Sequence, residues 1–304
     1  MLTVASLSRA ELGARLAGPG LTLRTGSFVT HLRSAITSVA DGIHLLYGDY
    51  PLLDDGAWVD FHLQLVRPAS PRRWLRPIVL LQLDGVSLFQ PLPLKQAFPM
   101  FEWGLNWCVA NRANQFLIIH AAVLEKDGRA VILPAPPGSG KSTLCAALAH
   151  RGWRLLSDEL ALIDVDNGNV MPSPRPISLK NASIGLMRDY LQQPVISPPV
   201  HETIKGTVAQ LKAPADSVAR ALEPARPAWV IFPQYQAGAG PVLAPMPKAQ
   251  AHLKLAQNAF NYSLLAARGF DTLAGVIGQS ACYNFTYSQL DDAIATFAGL
   301  ELQP

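Results

Sequence analysis

The chain has 304 residues, of which 49% are hydrophobic and 15% charged, so it can form one large domain or two ordinary ones. Its formal charge is only +3, and no lysine- and arginine-rich block indicates a nucleic-acid or anionic-lipid surface. Cys108, Cys145 and Cys282 are too widely spaced for a disulfide framework or a zinc site. Since no run approaches about 18 apolar residues and no apolar signal segment is present, we expect a cytoplasmic protein without a membrane partner.

The first third of the chain has the patterns of short strands and helices and carries no catalytic motif. We predict a helix within 1–17, two strands in 21–33, a helix in 34–46 and a strand in 58–66. An Asp-Gly turn predicts a hairpin in 77–90, and an aromatic-rich helix should run from about 94 to 111. We therefore assign 1–115 to an N-terminal, β-rich α+β module that could recognise a substrate, and 116–304 to a second domain.

The stretch from Phe116 to Asp164 holds the densest set of chemical signals. An apolar run ending at His120, a turn at 126–129 and a second apolar run predict a β-hairpin. The second strand leads into Gly138-Ser139-Gly140-Lys141-Ser142 and a short helix. That order matches the phosphate-loop pattern Gly-x-x-x-x-Gly-Lys-Ser/Thr, except that Ala135 stands at the first glycine.

Each residue type in this loop has a reason in phosphate chemistry. Glycines let consecutive backbone N–H groups converge on phosphate oxygens, and the start of the following helix adds a positive dipole. In this pattern Lys141 reaches the β- and γ-phosphates, and the Ser142 hydroxyl ligates Mg²⁺. The predicted ATP-binding residues of the loop are Pro137, Gly138, Ser139, Gly140, Lys141, Ser142 and Thr143.

Two carboxylates follow the loop after one helix and a short apolar strand. Asp158-Glu159 stands 17 residues past Lys141. One carboxylate could hold Mg²⁺, and the other could accept the proton of an attacking hydroxyl. The predicted hairpin could also bring His120 to the phosphates, where it would polarise Asp158 or contact the γ-phosphate. The alternative is that His120 is a hydrogen-bonded core residue.

The remaining chain predicts further strands and helices around one irregular segment. A hairpin is expected at 160–171, a buried strand at 228–232, a helix at 251–268, a strand at 282–287 and a final helix. The Pro-rich segment 190–227 shows little periodicity, so we expect a lid or a binding loop there.

The order of His120, the hairpin, Gly-Ser-Gly-Lys-Ser and residues 151–159 resembles the catalytic domain of HPr kinase/phosphorylase, over about 115–300. Nearly the whole chain is similar to the HPr-kinase-related kinases of group A, with shared stretches at 101–107, 175–181 and 205–207. The resemblance implies an α/β phosphate-loop kinase fold of the type shared with phosphoenolpyruvate carboxykinase. It also implies ATP and Mg²⁺ as cofactors, and an acceptor peptide or small protein encoded nearby.

The resemblance also implies roles for single residues. Lys141 and Ser142 would bind phosphate and metal, Asp158 would be the base, Glu159 a metal partner, and His120 the histidine that tunes the base. Where that family has a glutamate after the loop serine, this chain has Thr143, and two later family segments are replaced. The reverse, phosphorolytic reaction is therefore left open. Lys180 and Lys205 are candidates for the cations on the γ-phosphate.

Together these patterns predict an ATP-dependent serine/threonine-type phosphotransferase acting on a small protein or peptide. Two alternatives stay open: a nucleotide-gated peptide-binding module without phosphotransfer, and a kinase of a free small molecule such as an amino acid. No nucleic-acid partner is expected, and homo-oligomerisation is left open.

Overall fold

The computed structural model describes residues 2–54, 56–69, 75–136 and 138–300, and they form a mixed α/β protein. The α-helices are α1 (Arg9–Ala17), α2 (Thr37–Leu46), α3 (Ala97–Arg112), α4 (Lys141–Ala149), α5 (Ala182–Tyr190), α6 (Ala215–Ala219), α7 (Lys248–Gln257), α8 (Tyr262–Gln279) and α9 (Leu290–Ala298). Short 3₁₀ helices lie at Val4–Ser6 and Leu94–Gln96. In the part of the chain that is described, no helix has both the length and the hydropathy needed to cross a bilayer.

The β-strands fall into three sheets. In chain order they are β1 (Leu21–Thr25), β2 (Phe28–Ser34), β3 (Phe61–Val66), β4 (Ile78–Leu83), β5 (Val86–Ser87), β6 (Leu92–Pro93), β7 (Phe116–Lys126), β8 (Arg129–Pro134), β9 (Arg154–Ser157), β10 (Leu160–Asp164), β11 (Val170–Met171), β12 (Ile177–Lys180), β13 (Val200–Thr203), β14 (Gly206–Leu211), β15 (Arg226–Tyr235), β16 (Val242–Pro245) and β17 (Ala281–Tyr287). The helices and strands predicted before residue 115 are confirmed, with ends shifted by a few residues.

The chain divides into two compact units. The first contains Met1–Cys108 and Ser178–Ala219, and the second contains Val109–Ile177 and Arg220–Pro304. Segment 178–219 thus groups with the N-terminal residues although it follows the phosphate loop in sequence. The predicted domains 1–115 and 116–304 were assigned roles in recognition and catalysis. Because the two units are defined by how compactly their residues pack and not by what they do, that assignment stays a prediction.

The first unit is built on a six-stranded sheet in the order β1-β2-β3-β4-β5, with β6 also pairing with β4. Strands β2 and β3 are parallel, and the other pairs are antiparallel. Helices α1 and α2 pack on each other, and α1 packs on β2. Helix α1 begins at a capping box, in which the Ser8 hydroxyl accepts from the Glu11 N–H and the Glu11 carboxylate accepts from the Ser8 N–H.

The prediction that 190–227 is irregular is wrong for much of that segment, whereas its role as a lid or a binding loop stays a prediction. The first unit also holds a three-stranded sheet in the order β12-β14-β13, followed by α6. The stretch 200–211 contains no proline and folds into a hairpin, with Gly206 at a positive φ of +85°. Pro198, Pro199 and Pro214 lie just outside this hairpin, where a missing N–H breaks no hydrogen bond between β13 and β14.

The second unit is built on an eight-stranded sheet in the order β11-β10-β7-β8-β15-β17-β16, with β9 beside β7. Strands β8, β15 and β17 run parallel, and the remaining pairs are antiparallel. Alternate residues of β7, including Leu117 and Ile119, share a buried cluster with α7 and α8 residues such as Leu255 and Leu273. Helix α4 packs on β7, β9 and α9. The sheet thereby carries the phosphate loop at the end of β8.

The prediction of one helix over 251–268 is wrong, because two helices meet at a break. Between α7 and α8, Asn258 O accepts from the His120 N–H at 2.8 Å, and Phe260 N–H donates to Ile118 O at 2.8 Å. The Asn261 side chain accepts from the Ile118 N–H at 3.0 Å and donates to Phe116 O at 2.8 Å. These bonds to β7 satisfy backbone groups that have no helical partner where α7 ends and α8 has not yet begun.

Candidate functional site

The phosphate loop has the backbone that its glycines predict. Gly138 and Gly140 have φ values of +87° and +86°, and α4 begins at Lys141, directly after Gly140. Ala135, at the position of the missing first glycine, is buried and has no positive φ, so its β-carbon imposes no backbone strain. The predicted binding residue Pro137 lies outside the described residues. The loop therefore directs the amino end of a helix at the space beyond β8.

His120 and Lys141 meet at the start of α4. The Lys141 Nζ lies 3.1 Å from His120 Nε2, and only 7% of Lys141 is exposed. Because a lysine ammonium has only protons to donate, Nε2 must accept, which places the imidazole proton on Nδ1. The β7–β8 hairpin brings the two residues together. At its turn Lys126 pairs with Arg129, and at its open end Ala121, the neighbour of His120, pairs with Pro134, which leads into the loop. The hairpin thus places His120 beside the loop lysine, whereas its predicted action on Asp158 or the γ-phosphate stays a prediction.

The acidic pair occupies the short connection between β9 and β10. Leu160 pairs with His120 across β10 and β7, and Glu159 O accepts from the Ala121 N–H at 3.2 Å. Asp158 is buried, with 5% exposed, whereas Glu159 is half-buried. The backbone of the acidic pair thus lies next to that of His120 and Ala121. We call His120, Asp158 and Glu159 the charged side of the loop.

Cys145 is a site residue to which the sequence analysis assigned no function. It lies one turn after Lys141 on α4, is fully buried, and is hydrogen-bonded through its side chain to Asp158. Burial raises the pKa of the Cys145 thiol well above its usual value, the charge of Asp158 raises it further, and Lys141 opposes this effect. The thiol therefore stays protonated and donates to the carboxylate. Its spacing of four residues from Lys141 was the available signal.

Two tyrosines, Tyr235 and Tyr287, support the loop from the opposite flank, and we call them the aromatic side. The Tyr235 N–H donates to Ser139 O at 3.0 Å, and the Tyr287 hydroxyl donates to Gly140 O at 3.2 Å. They end β15 and β17, which follow β8 in the sheet order on the side away from β7. No local motif marks them, because their place depends on strand order.

The loop fits a polyphosphate in one further respect. The Ser139 Oγ is buried and has no hydrogen-bond partner among the described residues. A buried hydroxyl in a loop of convergent N–H groups is suited to a phosphate oxygen. Within the described ranges, no group of three or more His, Cys, Asp or Glu side chains could hold a metal alone. Mg²⁺ commonly takes one or two carboxylates and fills its shell with phosphates and water, so Ser142, Asp158 and Glu159 fit that role.

Lys180 and Lys205 belong to the first unit, where they lie on neighbouring segments. Lys180 ends β12, and the adjacent Asn181 has φ +50° and ψ −124° and accepts from the Thr207 N–H at 3.0 Å. Lys205 is exposed in the β13–β14 turn, with its Nζ 5.3 Å from the centre of the Trp103 ring. Such backbone strain, here at Asn181, concentrates at functional sites. The role of Lys180 and Lys205 at a phosphate stays a prediction.

Comparison with known families finds a partial match. The model of the family described as SynChlorMet cassette protein ScmC matches residues 100–181, which is less than half of the chain. The matched range includes His120, the phosphate loop, Asp158-Glu159 and Lys180, but not Lys205 or the two tyrosines. No curated protein matches the chain.

Proposed function

We propose that this protein is an ATP-dependent kinase that transfers the γ-phosphoryl group to a serine or threonine hydroxyl of a small protein or peptide. The observation that carries the proposal is the 3.1 Å contact between Lys141 Nζ and His120 Nε2, together with the buried Asp158, which acts on the same Cys145 thiol as Lys141 does. A nucleotide sensor requires the loop and its lysine, but it has no chemical use for a buried carboxylate and a histidine at the phosphate end. The second domain would then be a phosphate-loop kinase domain of the HPr kinase type.

The residues of the charged side divide the work of phosphoryl transfer. The loop N–H groups and Lys141 would hold the β- and γ-phosphates, while His120 fixes the direction of the Lys141 ammonium. The acceptor oxygen would form a bond to the γ-phosphorus as the bond to the β–γ bridging oxygen breaks, which releases ADP. Asp158 would take the proton of the acceptor hydroxyl. Most of the rate gain would come from positioning and from neutralising phosphate charge.

A divalent cation fits the same residues. When bound, Mg²⁺ would neutralise charge on the β- and γ-phosphates, held by the Ser142 hydroxyl with Asp158 or Glu159. The Cys145 thiol donates a hydrogen bond to the Asp158 carboxylate and so helps to fix its position. Because Glu159 is the more exposed of the two acids, we assign the metal chiefly to Glu159 and the proton to Asp158.

A polypeptide acceptor is favoured by the surface next to His120. The Phe260 ring lies edge-on to His120, with 6.1 Å between centroids, and 56% of Phe260 is exposed. Leu264 follows on α8 with 70% exposed. A free amino acid would gain little from exposed apolar side chains beside the phosphate end, whereas a peptide side chain can cover them.

The proposal is tested by transfer of label from ATP. The purified protein is incubated with γ-labelled ATP, Mg²⁺ and peptides covering the small proteins encoded beside its gene, since the matched family is described as a cassette protein. We expect the wild-type protein to label a serine or threonine, and Lys141→Ala to lose at least about 100-fold in rate. Lys126→Ala removes an exposed lysine from the hairpin turn of the same unit and should leave the rate unchanged.

Two outcomes would point to the alternatives. If acceptor peptide and ATP bind together but ATP is recovered intact after long incubation, the protein is a nucleotide-gated binding module. If a free amino acid is labelled and no peptide is, the small-molecule kinase replaces the present proposal.

A further inference from the structure

The two tyrosines of the aromatic side differ in what they leave accessible. Tyr287 is 1% exposed, and its ring stacks on Phe285 with centroids 5.2 Å apart. Burial raises the pKa of the Tyr287 hydroxyl, which therefore remains a neutral donor to Gly140 O. Tyr235 is 51% exposed, and its ring meets that of Tyr287 at 78° with centroids 6.0 Å apart. One tyrosine thus supports the loop, while the other presents an aromatic ring to solvent beside it.

The order of the sheet gives a bound nucleotide a direction. Strand β8, which carries the loop, lies between β7 and β15. The charged side, where the γ-phosphate would react, is on the β7 flank, and Tyr235 is on the β15 flank. The phosphates of a nucleoside triphosphate form an unbranched chain that ends in the nucleoside. If the γ-phosphate lies at His120 and the β-phosphate lies in the loop, the nucleoside therefore lies on the side of the loop away from β7.

The backbone of Tyr235 is held directly against the loop. Its N–H donates to Ser139 O, and a β-carbon placed on Gly140 would lie 3.1 Å from the Tyr235 Cβ. The side chain is therefore anchored within one residue of the phosphate-binding backbone, and only its ring is free to contact a ligand. The carboxyl ends of parallel strands are also where open α/β sheets bind nucleotides.

We propose that Tyr235 forms the nucleoside subsite of this protein, with its ring against the base or ribose of the nucleotide whose phosphates occupy the loop. The subsite rests on the proposed function for the direction of the triphosphate, but it makes a claim about binding and not about transfer. Every base has a π-face, so stacking on one tyrosine holds purines without discriminating between them. Adenosine and guanosine triphosphates should therefore depend on Tyr235 to the same extent.

The experiment compares a nucleotide with a base-free polyphosphate. Dissociation constants of ATP, GTP and inorganic tripolyphosphate are measured by calorimetry, with Mg²⁺, for the full-length wild-type protein and for Tyr235→Ala and Tyr235→Phe. We expect Tyr235→Ala to weaken ATP and GTP by about 10-fold and to leave tripolyphosphate unchanged, because base–aromatic stacking has that magnitude. Tyr235→Phe should bind all three as the wild type does. Gln234→Ala, at the exposed neighbouring position, is the matched control.

Each contrary result is informative. Unchanged ATP and GTP affinity in Tyr235→Ala would overturn the subsite, and so would an equal loss for tripolyphosphate, which would mean that the loop itself is disturbed. If the wild-type protein binds none of the three ligands, the subsite and the proposed function both fail. If it binds ATP through Tyr235 but labels no acceptor, the kinase proposal fails and the subsite stands.

Discussion

The two flanks of the phosphate loop are built by different physical means. On the charged side, His120, Asp158 and Glu159 converge through a hairpin and a two-residue connection, and a buried thiol and the loop lysine contact them. On the aromatic side, Tyr235 and Tyr287 hold loop carbonyl oxygens through neutral groups at the ends of parallel strands. The difference suggests that one flank is arranged to change charge during a reaction and that the other is arranged to stay fixed.

The largest effect should come from removing the charge of the proposed base. We expect Asp158→Asn to lower kcat by about 10²- to 10⁴-fold, since general-base catalysis contributes that factor, while ATP still binds. Steady-state kinetics with an identified acceptor, together with calorimetry for ATP, separate the two effects. Asp271→Asn, at an exposed position of α8, should have no effect. A near-normal kcat in Asp158→Asn would remove the chemical distinction between the flanks.

The charged side also depends on a buried ion pair that aligns β9 with β7. Arg154 pairs with Glu125, both side chains are 3% exposed, and Arg154 also donates to the carbonyl oxygens of Arg220 and Glu223 at 2.8 and 3.0 Å. We expect Glu125→Ala to lower the free energy of unfolding by about 3–5 kcal/mol, because it leaves the buried Arg154 charge with only the Glu223 carboxylate, 4.0 Å away. Urea denaturation measures this loss.

The control for that pair is its replacement by apolar residues. The double variant Glu125→Leu, Arg154→Met should recover most of the lost stability, since an apolar pair needs no desolvation of charge. A loss below about 1 kcal/mol in Glu125→Ala would instead mean that solvent reaches the pair, as it does for surface ion pairs.

The aromatic side restricts the loop sterically, and two glycines form a matched pair that tests this. A β-carbon on Gly140 would lie 2.7 Å from the Tyr287 hydroxyl, whereas one on Gly138 would meet nothing within 4 Å, although both have a positive φ. We expect Gly138→Ala to cost about 1 kcal/mol of stability, from backbone strain alone. Gly140→Ala should cost about 1–3 kcal/mol more, from overpacking, and should weaken ATP binding. Equal losses in the two variants would show that the tyrosines do not confine the loop.

The same contrast explains what the sequence could predict. The charged side lies within 39 positions of sequence, from His120 to Glu159, so local patterns predicted its hairpin, loop and carboxylates. The aromatic side requires that β15 and β17 lie beside β8 in the sheet. Tyr235 follows the loop by over 90 residues in sequence, and no local sequence period encodes the order of the strands. The break between α7 and α8 was missed for the same reason, because the bonds of Asn258 and Asn261 to β7 outweigh helix propensity there.

A smaller effect is expected where the thiol of Cys145 touches the base. Cys145→Ala removes a neutral donor, so kcat should fall by about 2- to 10-fold, with little change in KM for ATP. Cys145→Ser, which retains a donor, should restore kcat. Equal losses of kcat in Cys145→Ala and Cys145→Ser would reduce Cys145 to a packing residue.

The smallest effect should come from the hydroxyl of Tyr287, and its sign depends on pH. Tyr287→Phe removes the bond to Gly140 O and should cost about 0.5–1.5 kcal/mol of unfolding free energy near neutral pH.

Burial raises the pKa of Tyr287 in the folded protein, with a smaller contribution from Tyr235, so the neutral phenol stabilises the fold below the ordinary tyrosine pKa of about 10. That stabilisation is lost as pH rises above this value, because the unfolded chain then releases the proton more readily. Urea denaturation should therefore show wild type losing stability faster than Tyr287→Phe above about pH 10.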